Sequence, residues 1–163
     1  MIILGVDPGT AITGYGVVRQ EQNNKFKVLG YGTIRTNSEQ ANPKRLEIIY
    51  DGLQGLIREY EPDCLAIEEI FFNKNTATAL AVGQARGVAM LAGAHSKIPI
   101  AEYTPLQVKM AVTGYGRASK GQVGYMVRVL LGLAEIPKPD DAADALAICL
   151  CHGYNANNWR GQA

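Results

Sequence analysis

Two apolar segments that each end in an acid constrain the fold more than any other feature of the sequence. Residues 2–7 read IILGVD and residues 63–69 read DCLAIEE, and continuous apolar runs of this length are typical of buried strands. Between them, apolar residues recur every three or four positions from Pro43 to Tyr60, as on an amphipathic helix. A strand, a helix and a second strand in this order favour parallel pairing of the two strands. The sequence therefore predicts an α/β protein in which Asp7 and Glu68 lie at equivalent strand ends.

The other predicted elements extend this unit into a mixed sheet with several helices. The segments that follow the first strand are rich in β-forming residues and predict an antiparallel meander. The predicted elements are strands at 14–20, 26–35 and 99–102, and helices at 75–96, from a cap at Thr104, at about 119–131, and from Asp140 to about His152. We expect one domain over residues 1–153 and a frayed tail over residues 154–163.

Composition excludes several classes of protein. The chain has 163 residues, 47% of them hydrophobic, which is enough for one well-formed core. Its formal net charge is only +1, so contact with nucleic acid would require a local basic patch. Three cysteines without CxxC spacing argue against a disulfide framework or a zinc ribbon. The N-terminal apolar run is too short for a signal peptide or a membrane span, and we expect a cytoplasmic protein with no membrane association.

Four acids follow or interrupt apolar stretches: Asp7, Glu68, Asp141 and Asp144. Each has a structural alternative, such as an Asx turn before Pro-Gly or a favourable charge in the first turn of a helix. Together they indicate a shared site, because an unpaired buried carboxylate costs several kcal/mol and a divalent cation would offset that cost. Oxygen ligands without His or Cys favour Mg²⁺ or Mn²⁺.

Two choices stay open on geometry alone. Glu68 and Glu69 point to opposite faces of a strand, so only one can join the site. Asp140 and Asp141 both share a helix face with Asp144. Pro139 predicts that Asp140 is the N-cap, with its carboxylate accepting hydrogen bonds from the amides of residues 142 or 143, which would leave Asp141 free for the site.

Other chemistries find less support in the sequence. Neither of the two histidines lies near a Ser or Cys nucleophile motif. The glycine-rich segment at 113–121 lacks the arrangement of a P-loop. The sequence DPGT, with Gly14 and Gly16, resembles the first phosphate loop of actin-like and sugar kinases, but those enzymes need two such domains.

Four motifs in order, GVDPGTAITGYGVV, AIEEIFFNKN, GQARGV and DDAADALAI, resemble the RuvC family of Holliday-junction resolvases over about residues 1–152. The resemblance implies a ribonuclease H-like fold, with a five-stranded mixed sheet flanked by helices. It also implies that Asp7, Glu68, Asp141 and Asp144 are the catalytic, metal-binding acids, so Glu69 and Asp140 become their neighbours. The positions implied to contact DNA are Phe71, Lys109 and Lys120.

The resemblance further implies an activity and partners. The expected enzyme is a Mg²⁺-dependent endodeoxyribonuclease, a homodimer that resolves four-way DNA junctions by paired nicks. Two ions per site would serve hydrolysis that leaves a 5′ phosphate and a 3′ hydroxyl. A junction-binding protein and a branch-migration ATPase, of the RuvA and RuvB type, are the implied partners. Alternatives are a non-catalytic nucleic-acid-binding module, an actin-like nucleotide-binding fragment and, closest of all, a ribonuclease H that acts on RNA–DNA hybrids.

Overall fold

A five-stranded mixed sheet forms the centre of the computed structural model, which describes residues 1–69 and 76–159. The strands are β1 (Ile2–Asp7), β2 (Ile12–Gln20), β3 (Phe26–Arg35), β4 (Cys64–Glu68) and β5 (Ile100–Tyr103), in the sheet order β3-β2-β1-β4-β5. The β1–β2 and β2–β3 pairs are antiparallel, and the β1–β4 and β4–β5 pairs are parallel. The predicted meander and the predicted parallel pairing of the two apolar strands are both confirmed.

Helices cover both faces of the sheet. They are α1 (Asn42–Tyr60), α2 (Thr76–His95), α3 (Pro105–Thr113), α4 (Lys120–Leu130) and α5 (Asp140–Trp159). Helices α1 and α2 pack on one face and α3, α4 and α5 on the other, so the core consists of two apolar layers. Thr104 and Ser119 begin α3 and α4 with capping boxes, because each hydroxyl accepts a bond from the amide three residues later. No helix in the described ranges is long and apolar enough to cross a membrane.

Glycines let α5 lie directly against β1 and β2. A Cβ added at Gly5 would lie 2.3 Å from the carbonyl oxygen of Ala145, and one added at Gly14 would lie 2.0 Å from that of Asp141. Neither position can carry a side chain without moving the helix. Gly14 pairs with Asp7 across the β1–β2 ladder. The close approach therefore brings the first turn of α5 over the end of β1.

The last helix is longer than predicted. It continues to Trp159, so the predicted end near His152 is wrong, and residues 154–159 belong to the helix. Tertiary contacts hold this extension: the Tyr154 ring packs edge-on against Phe26 with centroids 5.2 Å apart, and Gln20 Nε2 donates to the Gly153 carbonyl at 2.8 Å. The rest of the predicted tail, residues 160–163, lies outside the described residues.

Candidate active site

Strands β1 and β4 end side by side with their acids on the same face. The parallel register pairs Gly5 with Ala66 and Val6 with Ile67, which places Asp7 beside Glu68 at the next position. Because side chains alternate along a strand, both acids point to the face covered by α5. Glu69 lies one residue past β4, where its amide donates to the Tyr103 carbonyl at 2.8 Å. Of the two adjacent glutamates, Glu68 is therefore the one that lines the site.

The N-terminal part of α5 adds Asp141 and Asp144. Asp144 joins Asp7 and Glu68 in lining a cavity of about 270 Å³, together with Lys109 and Lys120. Asp141 lines an adjoining groove, but its charge is near enough to raise the pKa of Asp7. The structure thus brings all four predicted acids to one end of β1, three of them in a single cavity.

Burial and mutual repulsion raise the pKa values of Asp7 and Glu68. Burial, followed by the charges of Asp144, Glu68 and Asp141, raises the pKa of Asp7 from 3.8 to about 7, against an opposing effect of Lys120. Burial also raises the pKa of Glu68, and repulsion from Asp144 adds to this effect. The cluster accumulates negative charge that a cation would stabilise.

Two lysines face the acids from α3 and α4. Lys120 is the first residue of α4, and its Nζ donates to Asp144 Oδ2 at 3.1 Å. This hydrogen bond, with the charge of Asp144, raises the pKa of Lys120. Lys109 lines the same cavity from α3, and its charge opposes the rise in the pKa of Glu68. Both predicted lysines are therefore placed where they can contact an anion bound at the acids.

The chemistry of the donor set fits a hard divalent cation, since every candidate ligand is a carboxylate. The side chains are not arranged as a complete metal site: among the residues described, no group of three His, Cys, Asp or Glu side chains could hold a metal ion as they stand. Lys120 is bonded to Asp144, one of the four candidates. Binding a cation through Asp144 would require this ammonium group to move.

Asp140 begins α5 rather than capping it. The amide of Ala142 donates to the Pro139 carbonyl at 3.0 Å, so the prediction that the Asp140 carboxylate caps the helix is wrong. The proline carbonyl already satisfies this amide. The side chain of Asp140 is exposed, and its charge is among the factors that raise the pKa of Lys120.

Arg86, in the GQARGV motif of α2, holds the end of β4 in a way that the sequence patterns did not predict. Its Nε donates to the Glu68 carbonyl at 3.3 Å, and its guanidinium forms an ion pair with Glu102 of β5. These contacts join α2 to two neighbouring strand ends. The GQARGV motif, which contains Arg86, was one of the four that carry the family resemblance. No spacing rule, however, connects an arginine in a helix to the main chain of a distant strand.

One predicted DNA-contacting residue, Phe71, lies outside the described residues. Its expected contact with DNA stays a prediction.

Comparisons with known proteins identify the family and agree with the fold. The sequence profile of the family described as "Crossover junction endodeoxyribonuclease RuvC" matches residues 3–152. A protein of that description from Desulforamulus reducens is 58% identical over 162 residues, covering 99% of each chain. The "Thermus thermophilus RuvC structure" superposes with a TM-score of 0.89 at 35% identity, covering 98% of this chain and 97% of that one. A second structure, "T. thermophilus RuvC in complex with Holliday junction substrate", gives a TM-score of 0.88 at 34% identity over 97% and 96% of the two chains. The predicted ribonuclease H-like α/β fold is confirmed.

Proposed function

Because the chain belongs to the RuvC family of crossover junction endodeoxyribonucleases, we propose that it resolves four-way DNA junctions by hydrolysing a phosphodiester at the acids of β1, β4 and α5. One observation carries this proposal beyond the family assignment. Asp7, Glu68 and Asp144 come from three different elements and line one cavity, with two lysines opposite them. Such a cavity suits a phosphate held between the lysines and cations that the carboxylates would bind.

The four acids would hold two divalent cations, Mg²⁺ or Mn²⁺. Burial and the repulsion among the carboxylates raise the pKa of Asp7, and positive charge bound between the carboxylates would offset both effects, which fits this assignment. Bound cations would supply an activated water for in-line attack and would stabilise the leaving 3′ oxygen. The proposed products carry a 5′ phosphate and a 3′ hydroxyl.

The chain's own residues would orient the phosphate and offset its charge. Lys109 and Lys120 lie on α3 and α4, across the cavity from the ends of β1 and β4. Lys120 would leave Asp144 for a phosphate oxygen, because the phosphate offers the ammonium group a second anionic partner. Arg86 would keep Glu68 in register by holding its carbonyl.

Cleavage and binding measured together test the assignment of the acids. Asp7→Asn and Glu68→Gln should abolish nicking of a labelled four-way junction in Mg²⁺, and both variants should still bind the junction, because they retain the basic residues. Asp51→Asn, which changes an exposed acid on α1, is the matched control and should cleave normally. Normal nicking by either site variant would contradict the assignment.

We also propose a homodimer, whose two sites would nick a two-fold symmetric junction at equivalent positions. An exposed face of α2 supports this proposal. Leu80 and Leu91 are 66% and 49% exposed, and a Cβ added at Gly87, between them, would meet no other element of the described chain within 4 Å. These positions share one helix face and would allow close approach of a second α2.

Gly87→Glu should shift the protein to monomers in sedimentation, because the added charge would lie on this face. Val129→Glu, at an exposed position on α4, is the control and should leave the dimer intact. A monomeric wild-type protein on junction DNA would contradict the proposal.

The remaining proposals come from the family resemblance. Phe71 would stack on a base unpaired at the crossover, a contact worth about 1–3 kcal/mol. A junction-binding protein and a branch-migration ATPase would deliver the junction to the dimer.

A further inference from the structure

A second groove adjoins the acids at the end of β1, on the side of α1 and α2. Its volume is about 620 Å³, and it lies between the turn that follows β1, the start of α1 and the first turns of α2. Asp141 is the member of the acidic cluster that lines it. Since α1 and α2 cover the opposite face of the sheet from α3 and α4, this groove lies across the sheet edge from Lys109 and Lys120.

Arg45 supplies the positive charge of this groove, and hydrogen bonds fix its orientation. Its Nε donates to Thr36 Oγ1 at 2.8 Å, and Thr36 Oγ1 donates to the Thr10 carbonyl at 2.6 Å. Thr10 Oγ1 in turn donates to the Ala81 carbonyl of α2 at 2.9 Å. The guanidinium is thus tied to the turn that begins directly after Asp7, and its position is coupled to that of the acids.

The charge of Arg45 is not neutralised within the described part of the chain. No carboxylate in residues 1–69 and 76–159 lies within ion-pair distance of it, although Arg45 is half-buried. Its bond to Thr36 uses Nε–H and leaves the terminal N–H groups for a further acceptor. A guanidinium held in this way is preorganised for a bidentate contact with an anion, and phosphate is the anion that its fork geometry matches best.

Continuity of the DNA strand then identifies the anion. A strand that places one phosphate at the acids carries further phosphates on both sides, one for about every 3.4 Å of helix rise. Lys109 and Lys120 line the cavity of the acids from α3 and α4, away from the groove of Arg45. We propose that Arg45 binds a backbone phosphate of the cleaved strand on the other side, next to the scissile phosphate. This inference rests on the proposed function, because it requires that the acids receive a DNA strand.

A charge-matched pair of variants tests the contact. Lys44 is the neighbouring cation on α1; it is exposed and forms an ion pair with Glu47. Arg45→Gln and Lys44→Gln remove the same charge from adjacent residues, so any general field effect is equal. Binding of each full-length variant to a labelled four-way junction is measured by fluorescence anisotropy in EDTA over a range of salt concentrations. Arg45→Gln should weaken binding about tenfold and lower the salt slope by about 0.7–0.9, the value for one lost phosphate contact, and Lys44→Gln should weaken binding less than twofold.

Neutral phosphates locate the contact on the DNA. Single methylphosphonates are placed in turn at the phosphates that flank the cleavage position. At one of these positions, the methylphosphonate should weaken binding of the wild-type protein about as much as Arg45→Gln weakens binding to unmodified DNA. The same methylphosphonate should not weaken binding of Arg45→Gln any further. Arg45→Lys should retain most of the salt slope, and melting temperatures show whether each variant is folded. Additive losses at every flanking phosphate in folded Arg45→Gln would overturn the assignment.

Wild-type cleavage in Mg²⁺, measured in parallel, separates the role of Arg45 from the nuclease activity. Junction cleavage together with equal binding by Arg45→Gln and Lys44→Gln would overturn the role of Arg45 and leave the nuclease assignment intact. A wild-type protein that neither binds nor cleaves the junction would contradict both.

Discussion

Replacing Asp7 with asparagine should stabilise the metal-free protein at pH 8 while removing its nuclease activity. Burial and the nearby charges of Asp144, Glu68 and Asp141 raise the pKa of Asp7 from 3.8 to about 7. At pH 8 the folded protein therefore carries an ionised carboxylate that its surroundings disfavour. Asparagine has nearly the same shape and no charge, so the variant avoids this cost.

The direction and size of the effect follow from proton linkage. The folded state binds the Asp7 proton more tightly than the unfolded chain, so this contribution to stability is fully present below about pH 4 and is lost as the pH rises to about 7. One pKa unit corresponds to about 1.4 kcal/mol, which gives an upper limit of about 4 kcal/mol for the loss. Salt screens the more exposed partners, and we expect about 2 kcal/mol, or about 4–8 °C in melting temperature for a chain of this size.

Thermal unfolding in EDTA at pH 4.5 and pH 8 measures the effect, with Asp51→Asn as the exposed control. Asp7→Asn should melt above the wild type at pH 8, and the difference should fall to about half or less at pH 4.5, because most of the linkage lies between these two pH values. Added Mg²⁺ should then raise the melting temperature of the wild type more than that of the variant. A variant that melts below the wild type at pH 8, or a difference that does not change with pH, would refute the reasoning.

Three further predictions follow from the geometry of α5, β2 and α2. Asp141→Ala should remove cleavage, whereas Asp140→Ala should retain it and cost no more than about 1 kcal/mol of stability, since Asp140 is exposed and complements the helix dipole. The reverse pattern in nicking assays would contradict the site. Gly14→Ala should destabilise the protein by more than about 3 kcal/mol in urea unfolding because its Cβ meets the main chain of α5, whereas Gly55→Ala, in open space on α1, should stabilise it by about 0.5–1 kcal/mol. Arg86→Gln should lower kcat more than about tenfold with little change in junction affinity, because Arg86 holds the main chain of Glu68. Arg86→Lys should recover part of the rate. An equal loss in kcat and in junction affinity would indicate that Arg86 contacts DNA instead of positioning Glu68.

Sequence patterns were sufficient for the features that depend on local periodicity and strand order. The apolar runs before Asp7 and Glu68 identified two buried strands, and the helix between them implied their parallel pairing. The hydroxyl of Thr104 marked the start of a helix because capping is a local interaction.

Features set by tertiary contacts were not accessible in the same way. Alternation along β4 could not choose between Glu68 and Glu69, because the choice depends on which face α5 covers. The end of α5 was misplaced because contacts with β2 and β3, including Phe26 against Tyr154, hold its last turns. The bond from Arg86 to the Glu68 carbonyl joins residues 18 positions apart through main-chain geometry that no side-chain pattern records.

Cleavage of matched substrates tests the central claim most directly. A four-way junction, a duplex and an RNA–DNA hybrid of the same sequence, each end-labelled on every strand in turn, are incubated with the protein in Mg²⁺. We expect nicks at symmetric positions in two opposing strands of the junction, with 5′ phosphate ends, and an intact duplex and hybrid. Cutting of the RNA strand of the hybrid while the junction stays intact would contradict the claim and would assign the acids to a ribonuclease H activity.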